Sequence, residues 1–267
     1  MSPLLRELAE LVTSAANDEL ERPKSSGRET KADGSWVTEA DTAMHTRIAH
    51  ELLDRWPRHA LLSEEMSTAE QERALAVPGE GLWCLDPLDG TTNFTHGIPF
   101  YAVSLALIKG DKITAGIVYD PVRGECFTAE RGHGAWLNGV RMGGASAPPL
   151  ALRRSVGVVD FKRLAPKLAS RLGQDPPYGS QRHFGACALD WCWLAAGRFE
   201  VYLHGGQKLW DYAAGSLILE EVGGHQRTLS GEPVFDGRLV PRSVVAALDP
   251  ELFGAWWSWI AIHRENS

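Results

Sequence analysis

Apolar side chains recur at helical spacing near the start of the chain. The positions three and four apart are occupied by Leu4, Leu5, Leu8, Leu11, Val12 and Ala15. This spacing predicts an amphipathic helix. Thr38 followed by Asp41 has the form of a capping box, so we predict that a second helix begins there and runs through Leu53, stopping near Pro57.

Short apolar runs bounded by polar residues follow. Ala60–Leu62 and Gly81–Leu85 are typical of strands, and acidic residues follow directly at Ser63–Glu65 and Asp86. Three further runs, separated by turn residues, predict an antiparallel meander. They are Tyr101–Ile108, Lys112–Tyr119 and Glu125–Ala129.

The pattern changes after Gly143–Pro149, a Gly-, Ala- and Pro-rich stretch that we predict to be a subdomain boundary. Strand and helix patterns then alternate, which indicates α/β layering. The predicted elements are Ser155–Val159, Ala165–Leu172, Ala186–Ala196, Phe199–Leu203, Asp211–Glu221, Ser243–Ala247 and Pro250–Ile262. We therefore expect one domain with an N-terminal α+β half, about residues 1–147, and a C-terminal α/β half, about residues 148–267.

Composition narrows the class of protein. Lys plus Arg number 27 and Asp plus Glu number 34, giving a formal net charge of −7. This sign is wrong for a protein that binds a phosphate backbone, so we expect no nucleic-acid partner. No apolar run approaches the ~18 residues of a membrane span, so we expect no membrane partner. The cysteines contain no CxxC pair, which favours free thiols in a reducing cytoplasm.

Acidic residues lie where predicted strands end or helices begin, at Glu64, Glu65, Asp86, Asp89 and Asp211. Strand ends on one edge of a sheet converge in space. Carboxylates brought together repel each other unless cations neutralise them. Oxygen ligands without Cys or His between them favour a hard ion such as Mg²⁺.

The segment Asp86–Asn93 adds a second feature. Gly90 permits close approach of a ligand to the backbone, and the N–H groups that follow it are expected at a helix N-terminus, which favours anions. A metal site beside an anion site suits hydrolysis of a phosphate ester. Taken singly, these motifs are commonly a turn, a solvated acidic pair and a helix cap. Their joint occurrence in this order favours the functional interpretation.

Four segments together resemble the inositol monophosphatase family over about residues 31–224. Trp83–Pro99 is similar to its first signature, and Trp210–Gly215 followed by Glu221–Gly224 is similar to its second. Val37–Asp41 and Ser63–Glu65 are similar to its two upstream motifs. The resemblance implies a layered αβαβα fold of the α/β (α+β) class and a homodimer. It also implies Mg²⁺-dependent, Li⁺-sensitive hydrolysis of a small-molecule phosphate monoester by a metal-activated water, with two or three Mg²⁺ ions.

The resemblance also implies roles for individual residues. A first metal would be held by Glu64, Asp86 and the Leu88 carbonyl. A second metal would be held by Asp86, Asp89 and Asp211. Glu65 and Thr91 would lie near the attacking water, with Thr91 oriented by Asp41. The substrate would contact Gly90, Thr91, Thr92, Gly185, Ala186, Cys187, His204 and Asp211.

The sequence departs from the family pattern at His204. Inositol-specific members have a Glu seven residues before the second-signature Asp, and this chain has His204 followed by two glycines. The sequence therefore leaves four candidate substrates open, namely inositol, sugar, nucleotide and histidinol phosphates. His204 either contributes to substrate specificity or packs beside the Gly-rich loop that follows it. Lys31 resembles a lysine near the metal site, or is a solvated loop residue.

Two alternatives compete with this interpretation. A phosphatase with an aspartyl nucleophile has Asp-x-Asp-Gly-Thr, whereas Asp86 and Asp89 are three residues apart. A non-catalytic, metal-dependent regulatory or binding protein of the same fold is the other, and the presence of every expected carboxylate opposes it.

Overall fold

The structure is a computed structural model that describes residues 1–20, 29–30, 36–76, 79–143 and 150–264. Lys31 and most of the predicted boundary loop, residues 144–149, lie outside the described residues. The helices are α1 (Pro3–Glu19), α2 (Glu39–Arg55), α3 (Thr68–Ala76), α4 (Thr91–Thr95), α5 (Pro166–Gln174), α6 (Cys187–Ala195), α7 (Leu209–Glu221) and α8 (Pro250–Arg264).

The strands belong to two large sheets and one small ribbon. They are β1 (Glu29–Thr30), β2 (Trp36–Val37), β3 (Ala60–Ser63), β4 (Leu82–Asp89), β5 (Ala102–Lys109), β6 (Lys112–Asp120), β7 (Glu125–Glu130), β8 (Gly134–Leu137), β9 (Val140–Arg141), β10 (Val156–Asp160), β11 (Ser180–Arg182), β12 (Val201–Gln207), β13 (His225–Arg227) and β14 (Arg242–Ala247).

The first large sheet contains seven strands in the order β3-β4-β5-β6-β7-β8-β9. β3 pairs parallel with β4, and the remaining pairs are antiparallel. Both faces of the central strands are buried, because alternate side chains enter different cores. Val103 and Leu105 of β5 pack in one core, whereas Ala102 and Ala106 pack in the other. The predicted meander is confirmed.

The second large sheet contains five strands in the order β11-β10-β12-β14-β13. β10 and β12 are parallel neighbours, with Asp160 opposite His204 in the register. Parallel strands end at the same edge of a sheet, so the residues at the ends of β10 and β12 come together. This edge becomes one wall of the candidate site.

The helices fill three layers around the two sheets. α1 and α2 cover the outer face of the seven-stranded sheet, α6 and α7 lie between the sheets, and α5 and α8 cover the outer face of the five-stranded sheet. Separate hydrophobic clusters occupy the interfaces between these layers. The predicted layered αβαβα fold is confirmed. None of the described helices combines the length and the apolar character that a bilayer crossing needs.

The two predicted N-terminal helices are confirmed as α1 and α2. At the start of α2, the Thr38 amide donates to Asp41 Oδ2 at 2.7 Å, and the Asp41 amide lies 3.5 Å from Thr38 Oγ1. These contacts form the predicted capping box. The box also fixes the Asp41 carboxylate at the first turn of α2, with almost no exposure to solvent.

Several short elements were not predicted. The helix α3 and the strands β8, β9, β11 and β13 lack a long enough periodic pattern to stand out in the sequence. The predicted strand Phe199–Leu203 is observed as Val201–Gln207, so it extends through His204 to a bulge before Gln207. The predicted strand Gly81–Leu85 continues as far as Asp89. Both extensions carry site residues. All four cysteines are free thiols.

Candidate active site

Glu64 and Asp86 meet because β3 and β4 are parallel. Ser63 lies opposite Leu85 in the register, and the Glu64 amide donates to the Leu85 carbonyl oxygen at 3.1 Å. Each acidic residue therefore follows the same rung of the sheet. The predicted convergence of these two strand ends is confirmed.

A bulge brings Asp86 and Asp89 to one site. Residues three apart on a regular strand point to opposite faces of the sheet. In β4, Asp86 lies opposite Ser104 and Asp89 lies opposite Ala102, so three steps on one strand correspond to two on the other. The extra residue reverses the alternation. It is the reason that β4 continues through this segment without separating the two carboxylates.

Asp211 reaches the same place from the third layer. It lies in the first turn of α7, where its Oδ2 accepts a hydrogen bond from the Lys208 amide at 2.8 Å. The Ser104 hydroxyl donates to the Trp210 carbonyl oxygen at 3.1 Å and joins the start of α7 to β5. Ser104 is the register partner of Asp86, so this buried bond places Asp211 beside β4.

We call these four residues, Glu64, Asp86, Asp89 and Asp211, the acidic centre. Burial raises the pKa of Asp86 well above its usual range, and the charges of the other three carboxylates raise it further. Burial also raises the pKa of Asp89 well above its usual range, with Asp211 and Glu64 adding to the effect. Burial and Glu64 raise the pKa of Asp211 to about 7. Each raised pKa means that ionising the carboxylate costs free energy in this site unless a cation neutralises the negative charge.

The donor chemistry of the acidic centre fits Mg²⁺, since it offers only carboxylate and carbonyl oxygens. Within the described part of the chain, no three His, Cys, Asp or Glu side chains are already arranged to hold a metal ion. The carboxylates therefore lie within electrostatic range of one another without forming a finished coordination sphere. An ion bound here would also need side-chain rotation and further oxygen ligands from the backbone or water.

Gly90 makes the turn between β4 and α4. Its φ is +91°, a left-handed conformation that favours glycine. A Cβ at this position would lie 3.1 Å from both the Ala186 Cβ and the Phe100 carbonyl oxygen. The turn leads directly into α4, whose first amides, Thr91 and Thr92 among them, have no acceptor within the helix.

Asn93 joins this turn to the second half of the molecule. Its side-chain Nδ2 donates to the carbonyl oxygens of Phe100 and Phe184, both at 2.7 Å. Phe184 precedes Gly185, which has a φ of +86° and leads through Ala186 into α6. The predicted anion segment therefore holds the predicted leaving-group segment in place.

Thr91 lies between the predicted water-activating groups and the acidic centre. Its Oγ1 is 3.0 Å from Asp41 Oδ1 and 3.1 Å from the Leu88 carbonyl oxygen. Glu65 lies just after β3, half-buried, with its amide 3.4 Å from Ser63 Oγ. Burial raises the pKa of Asp41, while hydrogen bonds from Thr38 and Thr91 lower it and Glu64 raises it. The structure thus places Asp41 and Thr91 within hydrogen-bond distance.

The start of α6 contacts the acidic centre through its backbone. The Ala188 amide donates to Asp89 Oδ2 at 2.6 Å, and the Cys187 amide also bonds to Asp89. A carboxylate at a helix N-terminus is favourably placed for the helix dipole. These bonds bring the Gly185–Cys187 segment next to Asp89.

His204 is enclosed by protein groups. Its Nδ1 accepts a hydrogen bond from the Gly206 amide at 3.1 Å, and its Nε2 lies 2.9 Å from Asp160 Oδ2 and 3.6 Å from Cys187 Sγ. The His204 side chain is 5% exposed and that of Asp160 is 14% exposed. Burial raises the pKa of Asp160, but hydrogen bonds from the His204 side chain and the Lys162 amide outweigh it and lower the pKa to about 2.

Sequence reasoning named Asn93 only as part of the anion segment, missed its joining role, and did not name Ser104 or Asp160 at all. Asn93 and Ser104 join elements through side-chain bonds to backbone carbonyls, and Asp160 lies against His204 across two strands. Asn93 lies inside the first signature and could have been noticed. Nothing in the sequence distinguishes Ser104 or Asp160, because their partners are 106 and 44 residues away along the chain.

The similarity of this chain to known proteins agrees with the family resemblance of its motifs. A model of the inositol monophosphatase family matches residues 2–259. The protein named Inositol monophosphatase 1 of Solanum lycopersicum is 38% identical over 221 residues, covering 81% of this chain and 79% of that protein. The protein named Nus factor SuhB of Escherichia coli K12 is 32% identical over 270 residues, covering 96% and 99%.

Solved structures share the fold. The crystal structure of the extragenic suppressor protein suhB from Bartonella henselae superposes with a TM-score of 0.82 at 28% identity, covering 97% of this chain and 98% of that one. A staphylococcal inositol monophosphatase-1, described as a LiCl-soaked inhibitory complex, has a TM-score of 0.80 at 25% identity, covering 96% and 92%.

Proposed function

Because the chain belongs to the inositol monophosphatase family, we propose that it is a Mg²⁺-dependent hydrolase of a small-molecule phosphate monoester. One observation carries the proposal. Buried carboxylates of the acidic centre raise one another's pKa beside the Gly90 turn, so the site is built to receive cations next to an anion. A phosphate ester accompanied by Mg²⁺ provides both charges.

The acidic centre holds the cations in this proposal. Glu64, Asp86 and the Leu88 carbonyl would hold a first ion, and Asp86, Asp89 and Asp211 would hold a second. When bound, Mg²⁺ supplies Lewis acidity and neutralises the charge that develops on the phosphate. The lowered carboxylate pKa values that accompany cation binding would keep these groups ionised at neutral pH. Two or three ions are consistent with this number of ligands.

Asp41, Glu65 and Thr91 act on the attacking water. The contact of Thr91 Oγ1 with Asp41 Oδ1 supports a role for Asp41 in orienting the hydroxyl. Glu65, which follows Glu64 at the end of β3, would accept a proton from the water. The water attacks phosphorus directly as the ester P–O bond breaks, and the departing alkoxide takes a proton from solvent while Glu65 returns its proton to solvent. No covalent bond forms between the phosphoryl group and the chain.

The remaining contacts bind the substrate. The amides of Gly90, Thr91 and Thr92 hold the phosphate oxygens. The segment Gly185, Ala186 and Cys187, together with Asp211 and His204, lines the side on which the alcohol leaves. The hydrogen bonds from the Cys187 and Ala188 amides to Asp89 support this position, since they bring the end of the segment into contact with the acidic centre.

The proposal includes the setting of the enzyme. We infer a cytoplasmic homodimer, supported by the free thiols and by the implication of the family resemblance. We also infer inhibition by Li⁺, because a family member of the same fold was solved as a LiCl inhibitory complex. A monovalent cation bound at the acidic centre in place of Mg²⁺ would carry one positive charge where Mg²⁺ carries two, so it would stabilise the charge on the phosphate less.

Relatives named Nus factor SuhB favour a second candidate function, a non-catalytic role that uses the same fold. The two candidates differ in what they require of the acidic centre. A non-catalytic protein of this fold would gain nothing from several buried carboxylates that raise one another's pKa, and their repulsion lowers its stability. This difference favours the catalytic candidate.

A turnover assay decides between them. The purified full-length protein is given inositol, sugar, nucleotide and histidinol phosphates, and released inorganic phosphate is measured with Mg²⁺ and with a chelator. We expect Mg²⁺-dependent release from at least one ester, abolished by the chelator. No release from any ester in Mg²⁺ would contradict the proposal and favour the non-catalytic role. An isolable phospho-aspartate would instead favour the aspartyl-nucleophile mechanism.

A further inference from the structure

The side of the acidic centre that faces α6 contains a carboxylate that the proposed mechanism does not use. Asp160 is the last residue of β10, and it lies opposite His204 of the parallel strand β12. Asp160 and His204 are in direct contact, with Nε2 and Oδ2 2.9 Å apart. The question is which of the two meets the substrate.

The hydrogen bonds of His204 are already used within the protein. The Gly206 amide donates to Nδ1, so that nitrogen is an acceptor and the ring proton is on Nε2. The Nε2 proton is donated to Asp160. Neither ring nitrogen remains available to a bound molecule, and the side chain is 5% exposed.

Asp160 has capacity left. Oδ2 accepts from His204, and Oδ1 accepts from the Lys162 amide at 2.8 Å. A carboxylate accepts about four hydrogen bonds, so each oxygen can accept one more. Its side chain is 14% exposed, nearly three times the fraction of His204. The carboxylate is thus rigidly held, ionised and open to solvent on one side.

Cys187 connects Asp160 to the acidic centre. Its backbone amide bonds to Asp89, and its Sγ lies 3.6 Å from His204 Nε2, which in turn contacts Asp160. Cys187 and His204 therefore connect Asp89 to the Asp160 carboxylate through direct contacts. In the proposed function the leaving alcohol lies against the Gly185–Cys187 segment, so it would lie on the side of the site that contains Asp160.

We propose that Asp160, held by His204, is the residue that selects the leaving group, by accepting a hydrogen bond from a hydroxyl or ammonium group on it. This inference rests on the proposed phosphatase function and names its substrate class. The substrate is an ester whose alcohol carries at least one further hydrogen-bond donor. His204 is a positioning residue that acts through Asp160.

The glycine after His204 is part of this arrangement. A Cβ on Gly205 would lie 1.7 Å from the Arg163 carbonyl oxygen. Only glycine therefore allows the turn Phe161–Arg163, which follows Asp160 directly, to pack against β12. The close packing holds the Asp160 carboxylate at the end of β10, beside His204 of β12.

The test compares three esters with Asp160→Asn and Asp160→Ala in the full-length protein. Inositol 1-phosphate offers hydroxyl donors, histidinol phosphate offers an ammonium group, and 4-nitrophenyl phosphate offers no donor on its leaving group. We expect KM for the first or second ester, whichever the wild type prefers, to rise by about tenfold or more, as for a lost hydrogen bond to a charged group. We expect kcat and the nitrophenyl reaction to change by less than about twofold. Asp175→Asn, which alters an exposed carboxylate directly after α5, is the matched control.

His204 variants separate positioning from packing. Gln at position 204 can still donate to Asp160, whereas Leu cannot. We expect His204→Leu to raise KM for the donor-bearing ester as Asp160→Asn does, and His204→Gln to restore it. Thermal unfolding of each variant identifies any that fail to fold, and the folded ones carry the comparison.

Two results would overturn the inference. Equal changes for all three esters in the Asp160 variants would show a purely structural role. A wild-type kcat/KM that is no higher for donor-bearing esters than for 4-nitrophenyl phosphate would remove the selectivity itself. Failure of the wild type to hydrolyse any ester in Mg²⁺ is a different outcome, which overturns the proposed function and this inference with it.

Discussion

The molecule contains two kinds of buried carboxylate within one site, and they differ in what satisfies them. Around Asp86 and Asp89, burial and the like charges of neighbouring carboxylates raise the pKa well above its usual range. At Asp160, hydrogen bonds from the His204 side chain and the Lys162 amide outweigh burial and lower the pKa to about 2. The first group is stabilised when a cation binds from solution, whereas the second already has hydrogen-bond donors within the folded chain.

This difference indicates two tasks. Carboxylates that repel one another are costly without ligand, and the cost disappears when a cation binds. A carboxylate held by a histidine is already rigid and charged, so it can recognise a small group without reorganisation. The acidic centre therefore suits ion binding and chemistry, and the Asp160–His204 pair suits selection of the leaving group. Four experiments test this contrast, and the one with the largest expected effect comes first.

The largest expected effect is on activity in Asp89→Asn. Loss of one carboxylate from the acidic centre should lower kcat by about 10²-fold or more, comparable to the loss of an electrostatic contact in a transition state. Asn still offers an oxygen to the Ala188 amide, so the fold should persist. Phosphate release at saturating Mg²⁺ measures the effect.

Asp54→Asn on α2 is the matched control, since Asp54 is exposed. It should leave kcat unchanged. Removing a repelling charge should also make metal-free Asp89→Asn at least as stable as the wild type. Near-normal kcat in a folded Asp89→Asn protein would show that Asp89 is not a ligand.

The next effect is expected in Asp41→Asn. Asp41 contacts Thr91 Oγ1 but would not itself hold an ion, so its loss should lower kcat by about 10- to 100-fold, as for groups that orient a reacting residue. Thr91→Ser keeps the hydroxyl and should retain more activity than Thr91→Val. If the Ser and Val variants were equally active, the contact with Asp41 would have no catalytic role.

A structural effect is expected in Gly205→Ala. The added Cβ would lie 1.7 Å from the Arg163 carbonyl oxygen, so the backbone must shift to relieve the clash. Overpacking of this kind costs about 1–3 kcal/mol in the free energy of unfolding, measured by denaturant titration. Gly206→Ala is the control, because its nearest neighbour, Pro241 Cβ, would be 3.6 Å away. Equal effects of the two variants would show that the turn adapts without cost.

The smallest effect is a pH dependence of the melting temperature. Asp211 has a folded-state pKa of about 7, above its unfolded value, so the stability linked to its protonated form is present at low pH. That stability is lost as pH rises through about 7. Without divalent cation, the wild type should therefore lose more stability than Asp211→Asn between pH 5 and 8.

Differential scanning calorimetry with a chelator measures this difference, at about 2–4 °C for each kcal/mol. Mg²⁺ should restore the wild type most strongly at pH 8, because the ion and the proton compete for the same carboxylates. For Asp160 we expect the opposite pH dependence, because its pKa is lowered in the folded state. The stability that it contributes is present above about pH 4 and is lost as the pH falls toward 2. Identical pH profiles for the wild type and Asp211→Asn would contradict the raised pKa.

Much of the fold was predictable because its signals are local. The capping box at Thr38 and Asp41, the meander and the alternation of the second half all depend on neighbours within a few residues. The candidate acidic residues were predictable for the same reason, as each follows a strand or opens a helix. The catalytic roles assigned to them stay predictions until the assays are done.

Patterns in the sequence were enough to predict the periodicities and the motif residues, since those are properties of short segments and of their order, whereas the αβαβα layering was expected only from the family resemblance. Strand pairing across the fold turns Asp86 and Asp89 to one side through a bulge and brings Asp160 beside His204. Both results depend on strand register, which hydrogen bonds between distant segments set. The pKa shifts of Asp86, Asp89 and Asp160 depend on that register, because their burial and their neighbours come from distant segments.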